Sequence, residues 1–310
     1  MKILITGASG FIGRNLLLRL ASESNVIALY NKDETFVSFL DEYNLDPMIF
    51  RIDLTNKKSL ERLKETIGNE IDVCVFLAAN GDPVLSVEQP AWDLECNTVS
   101  LINTCLSFNV KRFIFMSSGA VYDGLEDGVS PDIKVSPTLP YAISKWASER
   151  YIEHFHKTGK IGEYVILRFF GAFGPHEPSR KIYSNLVKTF YLEGKDEFTI
   201  IGDGKNLIDA MPIDDAICGL EKVINSDRSN LIANFHSGRP LAVKELVKTI
   251  GKIFDKRISI KYVGIIPEYI KFWAIGKDMK TEFGFEPTLS LEYGLEKLTE
   301  FIVGVKNNEL

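Results

Sequence analysis

The chain has 310 residues, 45% hydrophobic and 25% charged, with a formal net charge of -6 at pH 7. That length suits one large domain with a smaller lobe, and the acidic balance argues against nucleic acid as a main partner. Four cysteines without close C-x-x-C spacing and four histidines without a ligand pattern exclude an evident metal site; His154 and His156, two apart, would point apart on a helix. No apolar run reaches membrane-spanning length, and the strand at Lys2 to Thr6 leaves no room for a leader, which points to a reducing cytoplasm.

The chain opens on Lys2-Ile3-Leu4-Ile5-Thr6, then Gly7-Ala8-Ser9-Gly10-Phe11-Ile12-Gly13 and an amphipathic stretch to Leu20: strand, glycine turn, helix. Gly7 suits a sharp turn, Gly10 lets the backbone approach a pyrophosphate, and Gly13 allows close helix packing. The helix start at Phe11 and Ile12 offers free N–H groups and the positive dipole end. In this context the motif is a dinucleotide cradle.

Val26 to Tyr30, Met48 to Arg51, Val73 to Leu77, Phe113 to Met116 and Tyr164 to Phe169 read as further apolar strands, separated by helix-period segments. The expected fold is therefore α/β, a doubly wound parallel sheet of Rossmann type whose ligands lie outside its carboxyl edge. Gly7 to Gly13, Asp53-Leu54, Ala78-Ala79 and Ser117-Ser118 all follow a strand at that edge. Cys74 and Cys105 lie in apolar segments and read as buried free thiols.

Tyr141 and Lys145 are four apart and share a helix face. A phenol with a pKa near 10 is a poor acid–base at neutral pH, and a neighbouring ammonium would pull it down. Ser118, at the end of the apolar strand, is placed to hydrogen-bond the same substrate oxygen. After Phe170 the texture changes, with strand character at Ala233 to His236 and helix character from Val243 to Phe254. Residues 1–170 are read as the dinucleotide domain, with returning segments near 205–240, and 171–310 mostly as a smaller C-terminal substrate-binding lobe. The polar tail after Gly304 is expected to fray.

In order and spacing, a set of segments resembles the extended short-chain dehydrogenase/reductases, specifically the NAD(P)-dependent nucleotide-sugar epimerase, reductase and dehydratase group. They are Thr6 to Gly13, Asp53-Leu54, Leu77-Ala78-Ala79, Asn97, Ser117 to Tyr122, Pro140 to Lys145, Arg168 to Phe170, Phe173-Gly174-Pro175, Gly202-Asp203-Gly204, Asp214-Asp215-Ala216 and Phe283 to Pro287. The resemblance implies that Tyr141 is the acid–base, that Lys145 tunes it and grips the nicotinamide ribose, and that Ser118, with Gly119 beside it, orients the sugar. It further implies Asp53 and Leu54 at the adenine, Leu77, Ala78 and Ala79 along the pyrophosphate and ribose, Asn97 in a relay, and Phe170 beside the nicotinamide. The plainer readings are a helix N-cap for Asp53 and a buried amide for Asn97. A homodimer through the Tyr141 helix and the helix near Trp92 to Phe108 is also implied.

Three departures from the family pattern shape the expectation. The second strand ends Tyr30-Asn31-Lys32, without the acid that meets the ribose 2′-hydroxyl of NAD; Asn31 suits either form and Lys32 a 2′-phosphate, so NADP is favoured over NAD. Gly171 stands where relatives carry a substrate-binding asparagine. Ile208 stands where an arginine often meets the diphosphate, with Arg180 or Lys181 as replacements. Gly119 and Ala120 cannot transfer the protons a dehydratase needs. A nucleotide-sugar epimerase is the leading expectation and an NADPH-dependent keto-sugar-nucleotide reductase the alternative. A non-catalytic NADP-binding sensor or assembly protein is the competing class, which has no need of Ser118, Tyr141 and Lys145 together.

Overall fold

The computed structural model describes residues 1–20, 25–265 and 270–308. Its centre is a seven-stranded sheet of β1 (Ile3–Thr6), β2 (Val26–Tyr30), β3 (Met48–Arg51), β4 (Glu70–Phe76), β5 (Asn109–Ser118), β6 (Ile161–Phe169) and β7 (Leu231–Phe235). The order across the sheet is 7-6-5-4-1-2-3, with every pairing parallel. The order reverses between β1 and β4, which opens a crevice at their carboxyl ends.

The connecting helices are α1 (Phe11–Arg19), α2 (Phe36–Glu42), α3 (Lys57–Ile67), α4 (Pro83–Glu88), α5 (Pro90–Leu94), α6 (Ser100–Ser107) and α7 (Pro140–Lys157). Beyond the sixth strand come α8 (Ile182–Val187), α9 (Ile213–Ile224), α10 (Val243–Ile253), α11 (Met279–Phe283) and α12 (Leu291–Asn308). Local chemistry sets several starts. Asn56 caps α3, Asp82 caps α4 ahead of Pro83, and Asp278 and Thr281 form a capping box on α11, which Gly284 ends in a left-handed turn.

Ile3, Leu4 and Ile5 are fully buried, so β1 is covered on both faces. Each such side chain contributes about 1.5–3 kcal/mol, which fixes its depth in the sheet. One core packs Leu16, Leu17, Phe36, Phe39, Ile217 and Leu220 against Ile3 and Ile5. The opposite one packs Leu60, Leu63, Leu101, Cys105 and Ile152 against Leu4, Cys74 and Phe113. A third cluster joins Tyr183, Leu186, Phe190, Leu246, Ile250, Leu295 and Leu298 in the C-terminal half. Cys74 and Cys105 are free thiols, both buried.

The structure corrects several boundaries. β5 begins at Asn109, earlier than Phe113, because parallel pairing runs through polar residues: Arg112 is buried against Glu163 and the carbonyls of Val223 and Arg228. Leu77 and His236 fall just past β4 and β7. The helix does not end at Gly304: α12 runs from Leu291 to Asn308. Residues 309 and 310 lie outside the described residues. Short strand pairs in the second half, such as Glu197–Ile201 with Ser259–Val263, carry little sequence signal. Among the described residues no helix is long and apolar enough to cross a membrane.

Candidate active site

The glycine turn is shaped by close approach. Gly7 has φ +65°, and a Cβ there would lie 2.8 Å from the Ala78 nitrogen; one on Gly13 would lie 2.4 Å from the Gly7 carbonyl. Thr6 Oγ1 accepts from the N–H groups of Leu77 and Ala78 at 3.1 Å each, which ties the 77–79 loop to the turn. Gly10 makes no side-chain cap for α1, so that helix start keeps the amide donors that suit a pyrophosphate. These residues fit a dinucleotide.

At the far end of the edge, Asn31, Lys32 and Asp53 are exposed and Leu54 is buried. Asp53 is not the cap of α3. Its Oδ1 accepts from the N–H and hydroxyl of Thr55, while Asn56 caps the helix.

The other end of the crevice carries the chemistry. Ser118 ends β5, and its hydroxyl accepts from the Ala120 N–H at 3.1 Å. Tyr141 stands in the first turn of α7, where its N–H donates to Ser86 Oγ at 3.1 Å. Burial lifts the Tyr141 phenol above its ordinary 10, its hydrogen bond with Ser118 pulls it down, and Asp93 adds to the rise. Lys145 is 4% exposed; its ammonium donates to the Met116 carbonyl at 2.9 Å and lies 6.0 Å from the Tyr141 ring centre. Burial lowers the Lys145 pKa to about 8, against Asp93 and Glu149, which raise it. The three side chains thus gather as expected, but the phenol's shift runs upward. Loss of solvation outweighs the lowering effect of Ser118.

A buried polar network supports this corner. The helix holding Asn97 bulges into a π turn at Glu95–Val99. Asn97 accepts from the Asn80 N–H at 2.7 Å and donates to Asp93 at 3.0 Å and Ser144 at 2.9 Å. Asp93, fully buried, also accepts from the Asn80 side chain and the Ser144 hydroxyl, each at 2.7 Å. Glu149 accepts from Ser117 at 2.6 Å and pairs with buried Arg168 at 2.8 Å, which fixes the strand end before Ser118. Asp93, Asn80, Ser144 and Glu149 were missed from the sequence. The available signals were the four-residue spacings Asp93 to Asn97 and Lys145 to Glu149.

Phe170 sits against Gly119, where a Cβ would lie 3.2 Å from its ring, and it meets the His236 ring edge-on at 5.9 Å. Gly171 has φ +145°, a conformation unsuited to the asparagine of the family pattern. Arg180 pairs with Asp82 at 3.3 Å, beside the loop that follows β4. Burial lowers the Lys181 pKa, partly offset by Glu177.

A reversed strand order, a glycine cradle and a corner of half-buried Ser118 and Tyr141 beside buried Lys145 define a dinucleotide-dependent enzyme of the extended short-chain dehydrogenase/reductase type. Residues 3–234 match the NAD dependent epimerase/dehydratase family, and the chain belongs to it. A UDP-glucuronate 4-epimerase from Thermodesulfobacterium geofontis is 26% identical over 95% of this chain and 94% of its own. A UDP-glucuronic acid 4-epimerase from Bacillus cereus, solved with UDP-glucuronic acid and NAD, is 27% identical with TM-score 0.86, covering 98% of this chain and 100% of that one. A UDP-glucose 4-epimerase from Thermotoga maritima has TM-score 0.88 at 24% identity over 99% and 100% of the two chains, a likeness of fold.

Proposed function

We propose that the chain is a nucleotide-sugar epimerase, acting at C4 as the UDP-glucuronate and UDP-glucose 4-epimerases it resembles do, with Ser118, Tyr141 and Lys145 as its acid–base group. The observation that carries this reading is the convergence of Ser118, at the end of β5, and Tyr141, in the first turn of α7, on one corner with the buried Lys145 ammonium 6.0 Å from the tyrosine ring centre. Tyr141 Oη gives the proton to, or takes it from, the reacting sugar oxygen, and Ser118 Oγ holds that oxygen in line. Lys145 supplies positive charge when the phenol ionises, and Asn97 with Asp93 keeps the helix turn in place. Gly7, Gly10, Phe11, Ile12 and Gly13, with Leu77, Ala78 and Ala79, hold the dinucleotide; Asp53 and Leu54 flank its adenine end and Phe170 its nicotinamide. When bound, a nicotinamide cofactor accepts and returns hydride at the sugar carbon.

The residues after position 170, outside the strand and helix that return to the sheet, form the proposed substrate lobe, with Gly119, Gly171 and Arg180 at its mouth. Exposed Trp92, Leu94, Leu106 and Tyr151 suit a homodimer contact. The free buried thiols suit a reducing cytoplasm.

One observation favours a second reading, an NADPH-dependent keto-sugar-nucleotide reductase. Asp33, the first acid after β2, is paired with Arg14 at 2.9 Å, which draws its carboxylate away from a ribose role and leaves NADP the favoured cofactor. Incubation with sugar nucleotides and chromatographic separation tests both. Epimerase action interconverts two sugars without net consumption of NADPH; stoichiometric NADPH oxidation would replace it with the reductase. No conversion of any sugar nucleotide, with or without added cofactor, would remove both.

A further inference from the structure

We propose that His236 is a positioning residue for the hydride step: set between Asp209 and Asp278, its imidazole holds the Phe170 ring in place beside the nicotinamide. This deepens the reading above and rests on its placing of Phe170 there. β6 and β7 leave the sheet side by side, and the Phe170 N–H donates to the Phe235 carbonyl at 2.9 Å. Phe170 and His236 therefore start from neighbouring points on the carboxyl edge. Their rings meet edge-on at 5.9 Å, with the His236 side chain 14% exposed. Phe170 in turn closes on Gly119, the residue after Ser118. A shift of the imidazole reaches the catalytic corner through that one ring.

Two carboxylates fix the imidazole. Its Nδ1 faces Asp209 Oδ2 at 3.7 Å, and its Nε2 faces Asp278 Oδ2 at 3.6 Å. The other oxygen of each acid is already engaged. Asp209 Oδ1 accepts from the Ser237 N–H at 2.8 Å and from the Ser237 hydroxyl, and Asp278 Oδ1 accepts from the Thr281 N–H at 2.9 Å as the cap of α11. His236 Nδ1 and Asp209 Oδ2 are both buried, and among the described residues neither has a hydrogen-bond partner. Each is the missing partner of the other across a gap slightly longer than a hydrogen bond, and a buried carboxylate oxygen left alone is costly, which draws the ring towards it. An imidazole with one N–H serves one of the two acids, and with both nitrogens protonated it serves the two together. In either form the ring is tied to distant segments, one ahead of α9 and one at the start of α11, so its place does not depend on packing against Phe170.

The test reads nicotinamide emission from NADPH or NADH bound at saturation to the purified protein, which reports how firmly the nicotinamide is held whatever the sugar. His236→Ala is expected to lower the emission per bound dinucleotide about twofold, with the dissociation constant changed by less than about threefold. His236→Gln, which keeps a donor towards Asp209, should retain part of the wild-type emission. Asp278→Asn, which keeps the cap of α11 but removes the charge facing Nε2, should lose part of it. Phe170→Leu should lower the emission as well, and adding His236→Ala to it should change nothing further, because the histidine acts through that ring. Wild-type emission in His236→Ala, or losses that add in the double variant, would overturn the proposal while leaving a dinucleotide enzyme. Where His236→Ala fails to fold, wild-type emission in Asp278→Asn overturns it instead. Binding of neither dinucleotide to the wild type would overturn the reading beneath it as well.

Discussion

A carboxylate with no exposed surface, Asp93, is the residue on which the proposed catalytic corner leans hardest. It collects hydrogen bonds from Asn80, Asn97 and Ser144, and its charge acts on both Tyr141 and Lys145. Removing an acceptor shared by three buried donors leaves each donor dry, at roughly 1–3 kcal/mol apiece before relaxation. Asp93→Ala should therefore lower unfolding stability by about 3 kcal/mol or more, read as a shift of the urea midpoint. A loss below about 1 kcal/mol would mean that water or a neighbour takes its place. At the same scale, Lys145 was readable from its spacing to Tyr141, but the direction of the phenol's shift was not. Spacing reveals proximity, whereas the sign depends on how much solvent the phenol loses and on the Asp93 charge, which comes from another helix.

At the scale of elements, legibility followed the strength of the local pattern. β2 and β3 matched their sequence bounds and β1 begins one residue later than expected, at Ile3 rather than Lys2, because each is a compact apolar run closed by a turn. β5 was under-read at its polar start, where Arg112 is buried only because Glu163 and two carbonyls converge on it from β6 and the segments around α9. No window of sequence contains those partners. The π turn around Asn97 was equally hidden, since it arises from packing between α5, α6 and α7 and leaves no period of its own. The glycine turn was legible because its spacing between a strand and a helix is itself a pattern, although the close approach at Gly7 comes from the distant Ala78 backbone. The polar shell around Tyr141 was not, because its members come from five separate stretches of chain.

Over the whole molecule, His176 is a joint between the first and last helical layers. It has φ +69°, and its ring meets Phe39 at 5.1 Å in α2, Tyr43 at 5.9 Å just beyond, and Phe301 at 4.5 Å in α12. Burial, aided by the Arg14 charge, lowers its pKa from 6.5 to about 4. The unfolded chain therefore binds this proton more readily than the folded one. Its contribution to stability is complete above about pH 6.5 and is lost as pH falls towards 4. Thermal melts should show a drop in Tm between pH 7 and pH 5 that is smaller in His176→Leu; identical slopes would assign the drop to other groups.

These three scales meet at the phenol of Tyr141, which the proposed function makes the sole carrier of the sugar's proton. The most direct measurement compares sugar-nucleotide turnover and dinucleotide binding in the wild type and in Tyr141→Phe, which deletes one oxygen and keeps the ring. Turnover is expected to fall by about 10²–10⁴ with dinucleotide affinity nearly unchanged. Turnover at the wild-type rate in the phenylalanine variant would contradict the account.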